Sequence, residues 1–351
     1  MRQPPNYAEI DFKGEFYKVS FMKKVRTFII TMVAAALIVF AIVLIVNSIS
    51  DKLSQPEEVH SFGVDFGIQN RQGYIDSGVI DYSACKDKEG DFVLKIETGI
   101  SSDPEESGNQ NQVQETEMDF EISCIVDYRQ VPFCVDNKKY ISYAFKNSFK
   151  QKIIIDKKYF DRQVSDFDII IRPFAKDNFA EKKDMLMNSI QVERFNVVKE
   201  SRMDHKAYYD RKIAQVKKQG WINTGLKNTG ESLSDLQSIN IRKNGEILHD
   251  SLSINNKEKT EFDIVLPAAL LHSGAIVAYL DSRQISINKQ DYIMLDNASS
   301  GVLHITIDSK LKKGKYDLLF IGFKKPFTEP ENGVWSPENF LYSNRITVYV
   351  N

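Results

Sequence analysis

The sequence predicts a mainly β chain: one N-terminal transmembrane helix, then two tandem β-sandwich domains joined by a short helical spacer. Three observations predict it. An uncharged apolar run occupies Phe28 to Val46. Four sequence blocks recur in one order about 150 residues further on, a spacing that suits duplicated domains rather than a solenoid. Between the copies, one stretch carries apolar residues at helical spacing.

The apolar run reads FIITMVAAALIVFAIVLIV. At 1.5 Å per residue its roughly 19 residues reach about 29 Å, the hydrocarbon thickness of a bilayer. Lys18, Lys23, Lys24 and Arg26 precede it, and Asp51, Lys52, Glu57 and Glu58 follow. The basic flank stays in the cytoplasm. Residues 1–27 are therefore expected as a cytoplasmic tail, 28–46 as the membrane helix and 47–60 as a stalk, with the remainder extracellular. A cleaved signal would have a shorter core followed by small residues at alternate positions. Asn47-Ser48-Ile49-Ser50 offers no such site, so an uncleaved signal anchor of a single-pass cell-membrane protein is expected.

The chain is 42% hydrophobic and 27% charged with a net charge of −2, a globular composition. It has no basic stripe of the kind a nucleic-acid binder shows, so nucleic acid is not expected as a partner. The remaining length suits two sandwiches of ordinary size. Richness in Lys, Asn, Ile and Asp fits an AT-rich genome, such as that of a low-GC Gram-positive bacterium. Three cysteines are few for a secreted chain. Cys124 and Cys134 flank an expected hairpin turn at Tyr128-Arg129-Gln130, which would set them opposite each other. A cross-strand disulfide and two buried thiols both fit that placement. Cys85 has no evident partner.

The first repeated block pairs Ile122-Ser-Cys-Ile-Val-Asp-Tyr-Arg-Gln-Val131 with Ile276-Val-Ala-Tyr-Leu-Asp-Ser-Arg-Gln-Ile285. Ile153-Ile-Ile-Asp-Lys-Lys158 matches Ile305-Thr-Ile-Asp-Ser-Lys310. Phe167 to Phe174 matches Tyr316 to Phe323, and Asn188 to Val192 matches Asn344 to Val348. These blocks read as strands. Leu303 to Asp308 and Ile346 to Val350 alternate apolar and polar residues. Ile169 to Ile171 and Leu318 to Ile321 are apolar throughout, as in strands buried on both faces. The first sandwich is expected over 61–200 and the second over 220–351, with Ser101 to Glu117 a long polar loop. Between them, Ser201-Arg-Met-Asp204 reads as a capping box, Ala207, Ile213, Ala214 and Val216 recur at helical spacing, and Gly220 closes the helix. A spacer over 201–219 follows, packing on one domain through Tyr208 and Tyr209.

Little chemistry is written in the chain. His60, His205, His249, His272 and His304 are scattered without metal-ligand spacing, and there is no HExxH or CxxC. No cofactor, metal or catalytic residue is expected, since the strand context of Cys124 and Cys134 reads as inert. Asp127 and Asp281, with Arg129 and Arg283 two residues on, read as turn-forming residues rather than a site. The candidate recognition surface is the loop Pro326 to Phe340, with Phe327, Trp335 and Phe340 among three prolines. Trp335 suits stacking on a sugar ring, filling a protein pocket, or folding back to plug the sandwich end.

A short basic tail, one anchor helix, a stalk and paired sandwiches together resemble the layout of Gram-positive membrane-anchored surface proteins with immunoglobulin-like ectodomains. The resemblance implies immunoglobulin-like sandwiches. The Cys–Trp–Cys pattern of antibody domains is absent, which leaves the strand order open. No catalytic residue carries across. The expectation is a non-enzymatic, membrane-anchored binding or scaffold protein, an accessory subunit with an envelope or membrane protein as partner. The alternatives are a surface protein that binds cell-wall or host glycans, and an envelope hydrolase or thiol enzyme.

Overall fold

The computed structural model describes residues 62–75, 78–102, 119–146, 148–161, 163–174, 190–199, 204–227, 236–249, 251–255, 260–307, 311–336 and 339–351. The expected tail, membrane helix and stalk at 1–60 lie outside the described residues. Among the described residues no helix is long and apolar enough to cross a membrane.

The first sandwich contains β1 (Phe62–Asn70), β2 (Gly73–Tyr74), β3 (Val79–Asp81), β4 (Phe92–Ser102), β5 (Asp119–Val126) and β6 (Arg129–Val131). It continues with β7 (Phe133–Val135), β8 (Lys138–Tyr140), β9 (Ser142–Lys146), β10 (Ser148–Ile155), β11 (Val164–Phe174) and β12 (Gln191–Val198). One sheet has the order β2-β1-β4-β10-β7-β8 and the other β3-β12-β11-β5-β6, with β9 also on β5. Helix α1 (His205–Lys218) follows.

The second sandwich contains β13 (Leu226–Lys227), β14 (Asn240–Lys243), β15 (Glu246–Ile247), β16 (Ser251–Ile254), β17 (Thr260–Val265) and β18 (Ser273–Leu280). Its later strands are β19 (Arg283–Ile285), β20 (Ile293–Asp296), β21 (Val302–Ile307), β22 (Gly314–Lys324), β23 (Phe340–Tyr342) and β24 (Ile346–Val350). Its sheets run β13-β21-β17-β14-β15 and β16-β24-β22-β18-β19, with β20 on β18 and β23 on β22.

The two strand orders repeat each other. The core of one sheet is β1-β4-β10 in the first copy and β14-β17-β21 in the second. The other sheet is β3-β12-β11-β5-β6 in the first and β16-β24-β22-β18-β19 in the second. The short strands β3 and β16 pair in parallel with the last strand of their own copy. This is the immunoglobulin-like arrangement of two Greek-key sheets.

Side-chain alternation explains the layers. On β5, Ile122, Cys124 and Val126 point into the first core, where they meet Phe92, Leu94 and Ile96 of β4 and Phe167, Ile169 and Ile171 of β11. On β18 and β22, Ile276, Ala278, Leu280, Leu318 and Phe320 fill the second core. The intervening residues are buried too, apolar ones interleaved in the first sandwich with Glu121, Ser123, Asp168 and Arg172. Ile125, Ile170, Ala275, Val277, Leu319, Ile321 and Phe323 form a third core between the sandwiches. The strands expected to be buried on both faces are so, and their second neighbour is the other sandwich.

Helix α1 starts at His205, later than the expected Arg202, and its cap is Asp204 rather than Ser201, with the Asp204 carboxylate accepting from the Ala207 N–H at 3.1 Å. It does not hold the sandwiches apart. Tyr208, Tyr209 and Val216 bury against Tyr128, Val164 and Val198 in the third core, because those outward-facing apolar residues would otherwise meet water. The spacer is thus a packed element, and the described residues fall in one compact unit, His60–Asn351.

Close approach over the second sandwich requires a glycine at one point. A Cβ on Gly274 would lie 2.6 Å from the Leu270 carbonyl oxygen, in the single helical turn that covers β18. Backbone there cannot yield as a side chain would. Gly274→Ala is expected to lower stability by about 1–3 kcal/mol, the usual cost of overpacking, with urea denaturation as the measurement.

Candidate functional site at the seam between the sandwiches

The repeated Asp-x-Arg-Gln motif lies at the seam. In each copy the Asp opens a two-residue turn at positive φ, 48° for Asp127 and 51° for Asp281, a conformation that Asp tolerates. The two turns are locked alike. The Asp127 N–H donates to the Asp166 carbonyl at 2.8 Å, and its Oδ1 accepts from the Asp166 N–H at 3.0 Å. Asp281 makes the same pair with the backbone of Asp317, at 2.7 and 2.8 Å.

The turns then meet across a pseudo-two-fold axis. The Gln130 side chain accepts from the Gln284 N–H at 2.8 Å, and the Gln284 side chain accepts from the Gln130 N–H at 2.5 Å. Each amide also donates onward, Gln130 to the Ser282 carbonyl at 2.9 Å and Gln284 to the Tyr128 carbonyl at 2.8 Å. A second reciprocal set comes from Arg194 on β12 and Arg345 just before β24. Arg194 donates to the Lys324 carbonyl at 3.2 Å, and Arg345 donates to the Pro173 carbonyl at 2.8 Å. Such exchange of identical contacts is what an isologous interface produces.

Around this axis the first sandwich gathers a buried polar cluster. Asp166 is fully buried. Its carboxylate accepts from the Tyr128 hydroxyl at 2.6 Å, the Asn196 amide at 3.0 Å and the Phe327 N–H at 2.9 Å. Arg194 pairs with the buried Asp168 at 2.8 Å. Lys212 of α1 pairs with Asp127. Arg172 pairs with Glu121 and donates across the seam to the Asp281 carbonyl. Burial pushes the Asp127 carboxyl up to about 6, opposed by Lys212 and aided by Asp166. Burial likewise raises the Asp168 carboxyl, against the pull of Arg194. The charges of these groups are paired within the cluster, while the Asp168 Oδ2 and one Arg172 terminal nitrogen are buried with no hydrogen-bond partner among the described residues. Among the described residues no group of His, Cys, Asp and Glu is arranged to hold a metal ion.

The expected site residues fall elsewhere than in an open loop. Phe327 and Phe340 are only 2% and 6% exposed. The Phe327 ring meets Tyr128 edge-on at 5.1 Å, and Phe340 meets Phe323 at 5.7 Å. The Trp335 indole N–H donates to the Asn196 side chain at 3.0 Å, with the Arg194 guanidinium 5.0 Å from the ring centre. The loop folds back over the first sandwich, with Phe327 and Phe340 buried at the seam and Trp335 partly buried against Asn196 and Arg194.

Cys124 and Cys134 are not brought together either. The turn holds two residues, Asp127 and Tyr128, not three, so Val131 stands opposite Cys124. Beyond Pro132 the chain crosses to the other sheet, where Cys134 pairs with Ile154. Cys85, Cys124 and Cys134 are free thiols, and burial raises the Cys124 thiol well above its ordinary value.

Arg194 and Arg345 escaped the sequence reading because the repeats were matched out of step. Phe167 stands opposite Val126 as Leu318 stands opposite Leu280, which equates Asp166, not Asp168, with Asp317. Phe195 stands opposite Phe167 as Ile346 stands opposite Leu318, which equates Arg194 with Arg345.

No family model matches this chain, and no curated protein matches it. Among solved structures it is similar to fibronectin(III)-like modules of CbhA from Clostridium thermocellum, at 7% identity over 81% of this chain and 94% of that one, with a TM-score of 0.20. It is also similar to CBD12 from CALX1.2, at 8% identity over 78% and 96% of the two chains, TM-score 0.19. A chimeric titin Z1Z2-Z1Z2 tandem matches at 7% identity over 74% and 92%, TM-score 0.18. At such scores the superposed frames do not coincide, and the sandwich fold rests on the strand order itself.

Two outcomes are expected of the seam. In a double-mutant cycle, Gln130→Ala and Gln284→Ala should couple by about 0.5–3 kcal/mol in unfolding free energy, as contacting residues do. The second concerns Asp127, whose unfolded value lies near about 4. Between about pH 4 and 6 the folded chain holds a proton that the unfolded chain has released, so this group's contribution falls as pH rises through that window. The wild type should lose about 2 kcal/mol relative to Asp127→Asn between pH 4 and 7. Urea denaturation across that range reads the difference, and a flat difference would refute the assignment.

Proposed function

We propose that this chain is a non-enzymatic, single-pass membrane protein whose double sandwich works outside the cell as a rigid binding module. In this reading it serves as an accessory or scaffold subunit of a membrane or envelope complex. The observation that carries the proposal is the seam. The repeated motif, the loop aromatics and the buried acids all hold the two sandwiches to each other, which fixes the relative placement of their outer sheets. A partner then meets a surface of set geometry, and little entropy is lost in ordering it. The uncharged run Phe28 to Val46, with lysines before it, supports attachment at the bilayer with the sandwiches outside. The free, buried Cys124 and the mutual pairing of Asp127, Asp168, Arg194 and Lys212 speak against a thiol or acid–base enzyme at these groups.

Crosslinking of tagged full-length protein in intact membranes, followed by mass spectrometry, tests the reading. One dominant membrane-protein partner is expected. It should persist when 28–46 is replaced by an unrelated apolar helix, because the contact is made by the sandwiches. Retention of wall polymer with no protein partner would overturn the proposal.

A further inference from the structure

The outer face of the first sandwich has a depression that the seam does not use. It is floored by Gly67 on β1, Gly99 on β4 and Ser148 on β10, and rimmed by Tyr74, Glu97 and Lys150. The register explains the hollow. Gly67 stands opposite Glu97 and Ser148 opposite Gly99, so small residues from three strands adjoin. Its volume is about 480 Å³, within the range of small-ligand sites.

Tyr74 is the most exposed large apolar side chain among the described residues, at 63%. One side of its ring covers Gly67, where an added Cβ would lie 3.1 Å from the ring edge. Covering a strand glycine with an aromatic ring is a known structural device. It accounts for one face of the ring and leaves the other bare to solvent, beside charged groups held in place.

Glu97 is the anchor of those groups. Its Oε1 accepts from Lys95 at 2.6 Å and Lys150 at 3.1 Å. Those two lysines hold its carboxyl down at about 2, so it is ionised at any physiological pH. Among the described residues its Oε2 receives only a 3.3 Å bond, from the Tyr74 hydroxyl, leaving acceptor capacity at the hollow. Lys150, largely exposed, presents donors beside it.

We infer that this hollow is a saccharide cradle, in which the bare face of Tyr74 stacks on a pyranose ring while Glu97 and Lys150 bond neighbouring hydroxyls. A flat aromatic face beside a fixed acceptor and a fixed donor matches a sugar, which has an apolar C–H face and a rim of hydroxyls. The ligand class that fits is a β-linked pyranose chain, whose equatorial hydroxyls leave the ring faces flat. The site is independent of the protein-partner reading, since none of its residues lies at the seam.

The test is saturation-transfer NMR and titration of detergent-solubilised full-length protein with cellotetraose and chitotetraose. At least one is expected to bind. Tyr74→Ala should weaken that binding at least tenfold, whereas Tyr74→Phe, which keeps the ring, should retain it. Glu97→Gln should weaken it several-fold with the thermal transition unchanged. No binding of either sugar at 10 mM would overturn the inference, as would wild-type affinity in Tyr74→Ala. A crosslinked protein partner lost in Tyr74→Ala, without sugar binding, would assign the face to protein contact instead and overturn it equally.

Discussion

The structure depends on one constraint: the outward faces of β11-β5 and β22-β18 carry branched apolar side chains that are buried only where the two sandwiches meet, and in the first sandwich they stand among charged groups that must be paired there. Ile125, Ile170, Val277, Leu319 and Ile321 are all fully or nearly fully buried, and each points away from the core of its own sandwich. At about 25 cal/mol per Å² of apolar surface, leaving such faces open would outweigh the few kcal/mol of net stability that a domain usually has. Each sandwich is therefore completed by the other. The position of α1, the fold-back of the loop after β22 and the burial of the acid cluster follow from that pairing.

The reciprocal bonds add an argument about why the copies share residues. A surface that meets its own copy across a two-fold axis must be self-complementary, so each group that donates must also receive. Gln130 and Gln284 satisfy this with backbone amides, and Arg194 and Arg345 satisfy it with strand-end carbonyls. The seam has the form of a homodimer interface contained within one chain. Where the axis is not obeyed, a local element explains it. Val164 and Val198 lie under α1, which covers only the first copy. Their equivalents in the second copy, Lys315 and Tyr349, are exposed.

Much of the sandwich pair was legible in the sequence, and the boundary of legibility has physical causes. Period-two alternation marked β21 and β24, and unbroken apolar runs marked β11 and β22 as buried on two faces. That pattern gives the number of buried faces and not the neighbour, so the seam could not be read from it. The repeat was visible, yet its last two blocks were out of step, since Phe167 corresponds to Leu318 and Arg194 to Arg345, and the second copy also carries one extra residue before its final strand. Val192 stands opposite Ile170 and lies two residues before Arg194, whereas Tyr342 stands opposite Ile321 and lies three before Arg345. This bulge is closed by the Ser343 hydroxyl, which accepts from the Phe320 N–H at 2.9 Å. The expected disulfide is not formed because the turn is shorter and lies earlier than expected, and because the chain crosses to the other sheet before Cys134.

At one pair of equivalent seam positions the two copies use opposite chemistry. In the first, Glu121 stands opposite Arg172, and both are buried with their charges paired. In the second, Ala275 stands opposite Phe323, and both are fully buried in the shared core. A buried ion pair and a well-packed apolar pair commonly contribute similar stability, because desolvation consumes most of the Coulomb gain. The difference lies in direction. Arg172 donates to the Asp281 carbonyl and stacks 4.8 Å from the Tyr279 ring centre, while the Ser282 hydroxyl bonds Glu121 at 2.5 Å. Phe323 instead meets Tyr128 edge-on at 5.3 Å. An apolar pair on both sides would let the faces slide, since dispersion has little preference for register. The ionic half has only one position in which its charges and carbonyls are met, and it fixes the register in which the aromatic half packs.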